Sequence, residues 1–390
     1  MTLVRPLALA ALILSFAAPA PARAAEPARQ DLWTAGEGGY KLYRIPGLIV
    51  TAKGTLLAYC EARKTGSDWG EIDLLVRRST DGGKTWSDPK RLAERPADAK
   101  QNPVAAARKQ AKEGQVALNN PVMIADRSGA VHLIYCVDYF RCFHARSDDD
   151  GQTFGPAAEI TDQAFGPYRP AYDWKVLATG PGHGVQLSTG RLIVPVWMSL
   201  GTEGNGHRPS AVSTIYSDDA GKTWHGGAIV CTHPAPKNPS ETAAVELADG
   251  RVMLNIRHEG PEKFRAVTTS ADGAKDWTPV AYDKALPEPV CFGTILRVSG
   301  GKGSADKSRI LFANPHNPTD RKRRNLVVKL SEDEGQTWAA QKVIDAGPAA
   351  YSDLAAGPGG KVYCLYESGG KSGKDYAALT LVTFGLDELK

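Results

Sequence analysis

The octet STDGGKTW at residues 79–86 constrains the chain more than any other stretch. Aspartate and two glycines call for a tight turn, yet the motif closes on a tryptophan, a side chain poorly left in water. It returns as SDDDGQTF at 147, SDDAGKTW at 217 and SEDEGQTW at 331, with a degraded copy, SADGAKDW, at 270. The opening serines lie 53 to 70 residues apart, enough for one four-stranded sheet and a variable loop, the unit of a β-propeller. The runs AVHLIYCVDY, GRLIVPVWM, GRVMLNIR and KVYCLYES between the octets read as short strands entered from glycine-bearing turns. Only ADAKQNPVAAARKQAKEG (97–114) has a helical look, and it reads as an insertion in a loop. The expected fold is all-β: a six-bladed propeller of four-stranded antiparallel sheets over residues 38–390, with strands from the two chain ends completing one sheet.

Within an octet, Ser and Asp can bond the amides of their own turn, glycine supplies a positive φ, and the aromatic ring folds back onto the sheet. A catalytic or calcium-binding role for Asp81 and its equivalents is the weaker reading, because one substrate has no use for the same site in every sheet. The octets are therefore scaffold.

The N-terminus has a different layout. One early cation, Arg5, precedes an apolar run and an A-x-A ending at Ala24, the pattern of a secretory signal peptide over residues 1–24. Residues 25–37 read as a linker. The mature chain is expected to be secreted or periplasmic, without a membrane span, and monomeric. A net charge of +4, with RKRR at 321–324 as the one basic run, gives no reason to expect a nucleic-acid partner. Of six cysteines, Cys136 and Cys142 are the closest pair and the best disulfide candidate. No CxxC, HxxxH or HExxH occurs, so neither metal nor cofactor is expected.

Octets of the form S-x-D-x-G-x-T-W, together with YRIP at 43–46, resemble the exo-α-sialidase (neuraminidase) family, whose Asp-box repeats they match from about residue 38 to the end. The resemblance implies a retaining enzyme that removes terminal α-linked sialic acids from sialylated glycans. Such a substrate carries a carboxylate on its anomeric carbon. Fixed bidentate arginines suit that group, and it would repel a carboxylate nucleophile. A neutral tyrosine, activated by a base, is the better attacker, as sialidases illustrate.

Each part has a match. Arg44 in YRIP corresponds to the first arginine of the family triad, and Arg257, closing GRVMLNIR, to the second. The third stands shortly before the final octet, which favours Arg323, eight positions ahead of Ser331; its neighbour Arg324 would point to the other face of a strand. Tyr351 in GPAAYSDL matches the nucleophile and Glu241 in NPSETAAVEL its base, with Glu246 as rival. Arg63 matches an arginine that often follows the family's second strand and is a substrate-binding candidate; Asp68, in the glycine-flanked loop after it, matches the acid/base, while Asp73 reads as structural. Glu367 in CLYES resembles the acid that braces the first arginine. Gln186 and His183 are candidates for substrate hydroxyls, Asn120 for the pocket wall, and Trp69 and Trp174 for stacking on sugar. Two other readings are a non-catalytic glycan-binding propeller and a trans-sialidase that shares every catalytic residue.

Overall fold

The computed structural model of the chain describes residues 28–389; residues 1–24, which the sequence reads as a signal peptide, lie outside them. The described residues form a propeller-like set of antiparallel sheets. Three are four-stranded, beginning with Leu42–Val50, Leu118–Ala125 and Thr242–Glu246. A fourth is built on Val176–Thr179, Leu192–Glu203 and Arg208–Ser217. The last is seven-stranded and turns on one strand, Ala340–Ala356. The first half of that strand pairs with Arg324–Ser331, and its second half with Lys361–Ser368.

The chain ends meet as expected: Ala28–Thr34 pairs with Ala378–Gly385 at the edge of this sheet. This corrects the linker reading of 25–37. Its polar start hid a strand whose Leu32 and Trp33 are buried in the core. The helix expected over 97–114 is also shorter, spanning only Pro103–Ala107. Asn102 caps it through Val104 N at 2.9 Å, but Lys109 has a φ of 53°, which ends the helical path. Cys136 and Cys142 do face each other across a strand pair, yet both are buried free thiols.

One strand of each neighbouring sheet lies inward and packs on the next. Leu42–Val50 packs against both Leu118–Ala125 and Ala340–Ala356, and Thr242–Glu246 against Thr294–Ser299. Fully buried Asp353 ties several of these elements together near the axis. It accepts from Leu48 N at 2.8 Å and Thr294 Oγ1 at 2.8 Å, and bonds His183 Nδ1 at 2.7 Å. A buried carboxylate needs such partners to offset its lost hydration.

Each octet closes the turn after the third strand of its sheet. Gly83 N donates to Ser79 Oγ at 2.9 Å, Ser79 Oγ to Asp81 at 2.8 Å, and Thr85 Oγ1 to Asp81 at 2.6 Å. The same links recur at Ser147/Asp149/Thr153, Ser217/Asp219/Thr223 and Ser331/Asp333/Thr337. The degraded copy has no threonine, and Asp272 bonds only its local turn and Arg191. Strand register then fixes direction. Ser79 pairs with Leu56, which pairs with Val50, so the octet lies at the opposite end of the sheet from Arg44 and Arg63.

Candidate active site

At the end away from the octets, side chains from every sheet converge on a cavity of about 200 Å³. Arg44 enters it through a bulge: the register of Leu42–Val50 slips between Arg44 and Gly47. Ile45 there has a φ of 54°, a strained conformation for a β-branched residue. Gly47 is required beside it, since a Cβ would lie 2.0 Å from the ring of Tyr59. The bulge is held by fully buried Glu367. Its carboxylate takes Arg44 Nε at 2.9 Å, Arg44 Nη2 at 3.1 Å, Ile45 N at 3.0 Å and Tyr351 N at 3.2 Å.

Tyr351 stands at the centre. Its hydroxyl lies 2.6 Å from both carboxylate oxygens of Glu241 and accepts from Arg257 Nη1 at 2.6 Å. Arg257 Nη1 also bonds Glu241. The two side chains are placed by their backbones, for Arg257 N donates to Glu241 O and Ser240 N to Arg257 O. Burial pushes the Tyr351 phenol well above its usual pKa; Arg257 opposes that and Glu241 adds to it. At neutral pH the phenol is therefore protonated, with its acceptor already in contact.

Arg44 and Arg323 lie 5.2 and 5.1 Å from the Tyr351 ring centroid. Arg44 pairs with Glu367 and Arg257 with Glu241, whereas Arg323 has no carboxylate partner among the described residues. It donates to Val290 O at 2.7 Å. Arg257 Nε is likewise buried without a partner. Surplus donors and an unbalanced positive charge make this corner a receptor for an anion. Arg324 faces outward onto Asp320 at 3.0 Å. Arg323→Lys is thus expected to raise KM for an anionic ligand about tenfold or more, and Arg324→Lys to leave it unchanged, as steady-state kinetics on the two variants would measure.

Across the cavity, Arg63 binds Glu61 through Nε and Nη2 at 2.8 and 2.6 Å and Asp68 through Nη1 at 2.6 Å. Its side chain is 1% exposed while that of Asp68 is 34% exposed, so the buried guanidinium holds a partly exposed carboxyl on the cavity wall. Burial pushes Asp68 upward, but Arg63, with His207 and Arg44, holds it well below the usual carboxylate range. Glu61 is fixed in turn by Asn120 N at 2.8 Å, and Asn120, on the cavity wall, adopts a φ of 51°. His207 lies beside Asp68 among the rings of Trp69, Tyr139 and Trp197, and burial pushes its pKa down to about 4. A neutral imidazole therefore flanks Asp68 at neutral pH.

Several candidates fall elsewhere. Gln186 pairs with Leu192, which pairs with the octet serine Ser217, so it sits at the wrong end of its sheet and does not join the cavity. Its Oε1 accepts from Arg127 N at 2.8 Å. Glu246 lies at that same end and caps Ser188, leaving Glu241 alone beside Tyr351. His183 belongs to the axial Asp353 network. Asp73 turns away onto Tyr40 and Arg95. Trp69 is buried beneath the Asp68 loop, with Nε1 on Asn205 O at 2.9 Å, and Trp174 is buried in the core. Neither ring is free to stack on sugar. Sequence reasoning missed Glu61 behind Arg63, and Tyr139, Trp197, His207 and the Arg208–Glu259 pair on the wall. Only Glu61 carried a signal, as it stands two positions before Arg63 and so shares its face of the strand.

A propeller that carries Asp boxes at one end and an arginine-lined cavity at the other defines a class, and known proteins agree. The family model described as "BNR repeat-like domain" matches residues 54–364. The chain is 33% identical to a sialidase of Micromonospora viridifaciens, over 97% of this chain and 59% of the relative. It is 32% identical to a sialidase of Bacteroides fragilis (strain YCH46), over 86% of this chain and 61% of that one. It thus spans about 60% of the length of these two curated relatives. The solved structure of the Hadza microbial sialidase Hz136 superposes with a TM-score of 0.73 at 27% identity, covering 91% of this chain and 68% of that one. The chain belongs to the sialidase family with Asp-box (BNR) repeats.

Proposed function

We propose that the protein is an exported, retaining exo-α-sialidase that releases terminal α-linked sialic acids from glycans through a tyrosine nucleophile. The observation that carries this reading is the Tyr351 hydroxyl, 2.6 Å from both oxygens of Glu241, beneath the guanidiniums of Arg44, Arg257 and Arg323. A site that only held sugar would gain nothing from a buried base on a buried phenol. The fold is read as six blades by dividing the seven-stranded sheet within Ala340–Ala356. Export rests on the layout of residues 1–24.

The three arginines take the substrate carboxylate and bring the anomeric carbon over Tyr351. As the Tyr351 oxygen bonds that carbon, its proton passes to Glu241. The bond to the leaving sugar breaks, and the departing oxygen takes a proton from Asp68. Water then attacks from the vacated side, giving its proton to Asp68. The carbon–tyrosine bond breaks, and Glu241 returns the proton to the phenol. Two displacements leave the configuration unchanged. Asp68 is ionised in the empty site, so it must gain its proton as substrate binds. The incoming carboxylate and the exclusion of water both disfavour its charged form.

Asp68→Ala is expected to lower kcat about 10²–10⁴-fold on sialyllactose, whose leaving alcohol needs the proton. Loss on a 4-methylumbelliferyl α-sialoside, whose phenolate leaves unaided, should be much smaller. Equal losses on both substrates would remove Asp68 from this role. The reading as a whole is tested by proton NMR of the first sugar released. The α-anomer is expected first, and a β-anomer or no turnover on any linkage contradicts it.

A further inference from the structure

Tyr376 lies outside every motif and does not line the catalytic cavity. Its ring nonetheless covers the Arg44 guanidinium, whose central carbon is 4.4 Å from the ring centroid, and its hydroxyl accepts from Arg323 Nη1 at 3.3 Å. One side chain thus touches two of the three arginines from behind. Its backbone is shaped for the task. Tyr376 has a φ of 60°, an unfavourable conformation for a bulky residue. The next residue is pinned on both sides, Ala377 N on Ser368 O and Ala35 N on Ala377 O, each at 2.9 Å.

A second cavity, of about 410 Å³, lies behind, where Tyr376 and Arg323 meet Glu367, Pro348 and Asp375. Arg323 borders both cavities, so the Tyr376 ring stands where the outer one would otherwise open onto the backs of Arg44 and Arg323. Water admitted there would compete for the guanidinium donors and weaken their attraction for a carboxylate. Arg323 depends on this support most, having no carboxylate partner of its own among the described residues.

We infer that Tyr376 is a positioning residue, which stacks on Arg44, restrains Arg323 and keeps the outer face of the carboxylate clamp dry. This rests on the sialidase reading above. Clamp contacts persist from bound substrate to transition state, so their loss raises KM and leaves kcat nearly unchanged.

The test compares Tyr376→Phe and Tyr376→Leu with wild type. Readouts are KM and kcat on sialyllactose, Ki for 2-deoxy-2,3-didehydro-N-acetylneuraminic acid, and Tm. The Phe variant keeps the stack and should stay within about threefold in Ki. The Leu variant loses ring and hydroxyl, and its Ki and KM should rise about tenfold with kcat nearly constant. Wild-type Ki in the Leu variant overturns the inference, as does a loss confined to Tm and kcat. A Phe variant as weak as Leu overturns the stacking role. Should Leu not fold, Tyr376→His takes its place. At neutral pH its smaller ring covers less of Arg44 and does not reach Arg323, so its Ki should rise about tenfold, and a wild-type-like Ki again overturns the inference. A wild-type protein that neither turns over nor binds these compounds refutes the sialidase reading instead, so the two failures are distinguishable.

Discussion

Tyr351→Phe should lower kcat on sialosides by about 10³-fold or more while leaving Ki for a sialic acid analogue within a few-fold of wild type. In the proposed mechanism the phenol oxygen bonds the anomeric carbon, and phenylalanine offers no substitute. The clamp is untouched, because Arg44 is held by Glu367 and Arg257 keeps its contact with Glu241. Stability should fall only by about 1 kcal/mol, the scale of one hydroxyl hydrogen bond. Single-turnover kinetics with equilibrium binding would check it; a variant that turns over normally is not working through this oxygen.

Glu367→Ala has the largest expected structural effect, a loss of about 3–5 kcal/mol in chemical denaturation. Glu367 is fully buried and receives four donors: two from Arg44, one from Ile45 N and one from Tyr351 N. Removing it leaves a buried guanidinium and two buried amides without their acceptor, and frees the strained bulge at Ile45. KM should rise along with the fall in stability, because Arg44 loses the partner that aims it. Glu367→Gln keeps the shape and two acceptor lone pairs, so it should retain part of both. A stability change under about 1 kcal/mol for the Ala variant would mean that the bulge is held by other contacts.

How much was legible before the fold follows from where each signal resides. The turn inside each octet is local, with its serine–aspartate, glycine–serine and threonine–aspartate hydrogen bonds spanning two to four residues, so its chemistry could be read directly and the octet spacing revealed the sheets. Arg44, Arg257, Arg323, Glu241, Tyr351, Asp68 and Glu367 each stood in a recognisable stretch, and the fold brings all seven into one place. Gln186 stood in an equally suggestive stretch and failed because its strand pairing carries it to the octet end. The strand Ala28–Thr34 was hidden for a related reason. Half its residues are polar, and it is a strand only because Ala378–Gly385 needs a partner about 350 residues away. His207 and Tyr376 come from loops with no periodic pattern, and Arg208 only opens its strand, so their positions are set by neighbours in space. Lys, Gln and Ala in 97–114 favour a helix by composition, but a short isolated helix is marginal. Its Val104 packs instead against Gly201 and Gly206 of a facing hairpin.

The central claim is that Tyr351 becomes covalently bonded to the sugar. A 2,3-difluorosialic acid, whose 3-fluorine slows hydrolysis of the intermediate, tests it when incubated with the protein and followed by intact-mass spectrometry and peptide mapping. The account predicts one 3-fluorosialosyl adduct per chain, on the peptide containing Tyr351, absent in Tyr351→Phe and lost slowly as activity returns. Inactivation with the adduct on another residue, or turnover of this reagent with no covalent species at any time, would contradict it.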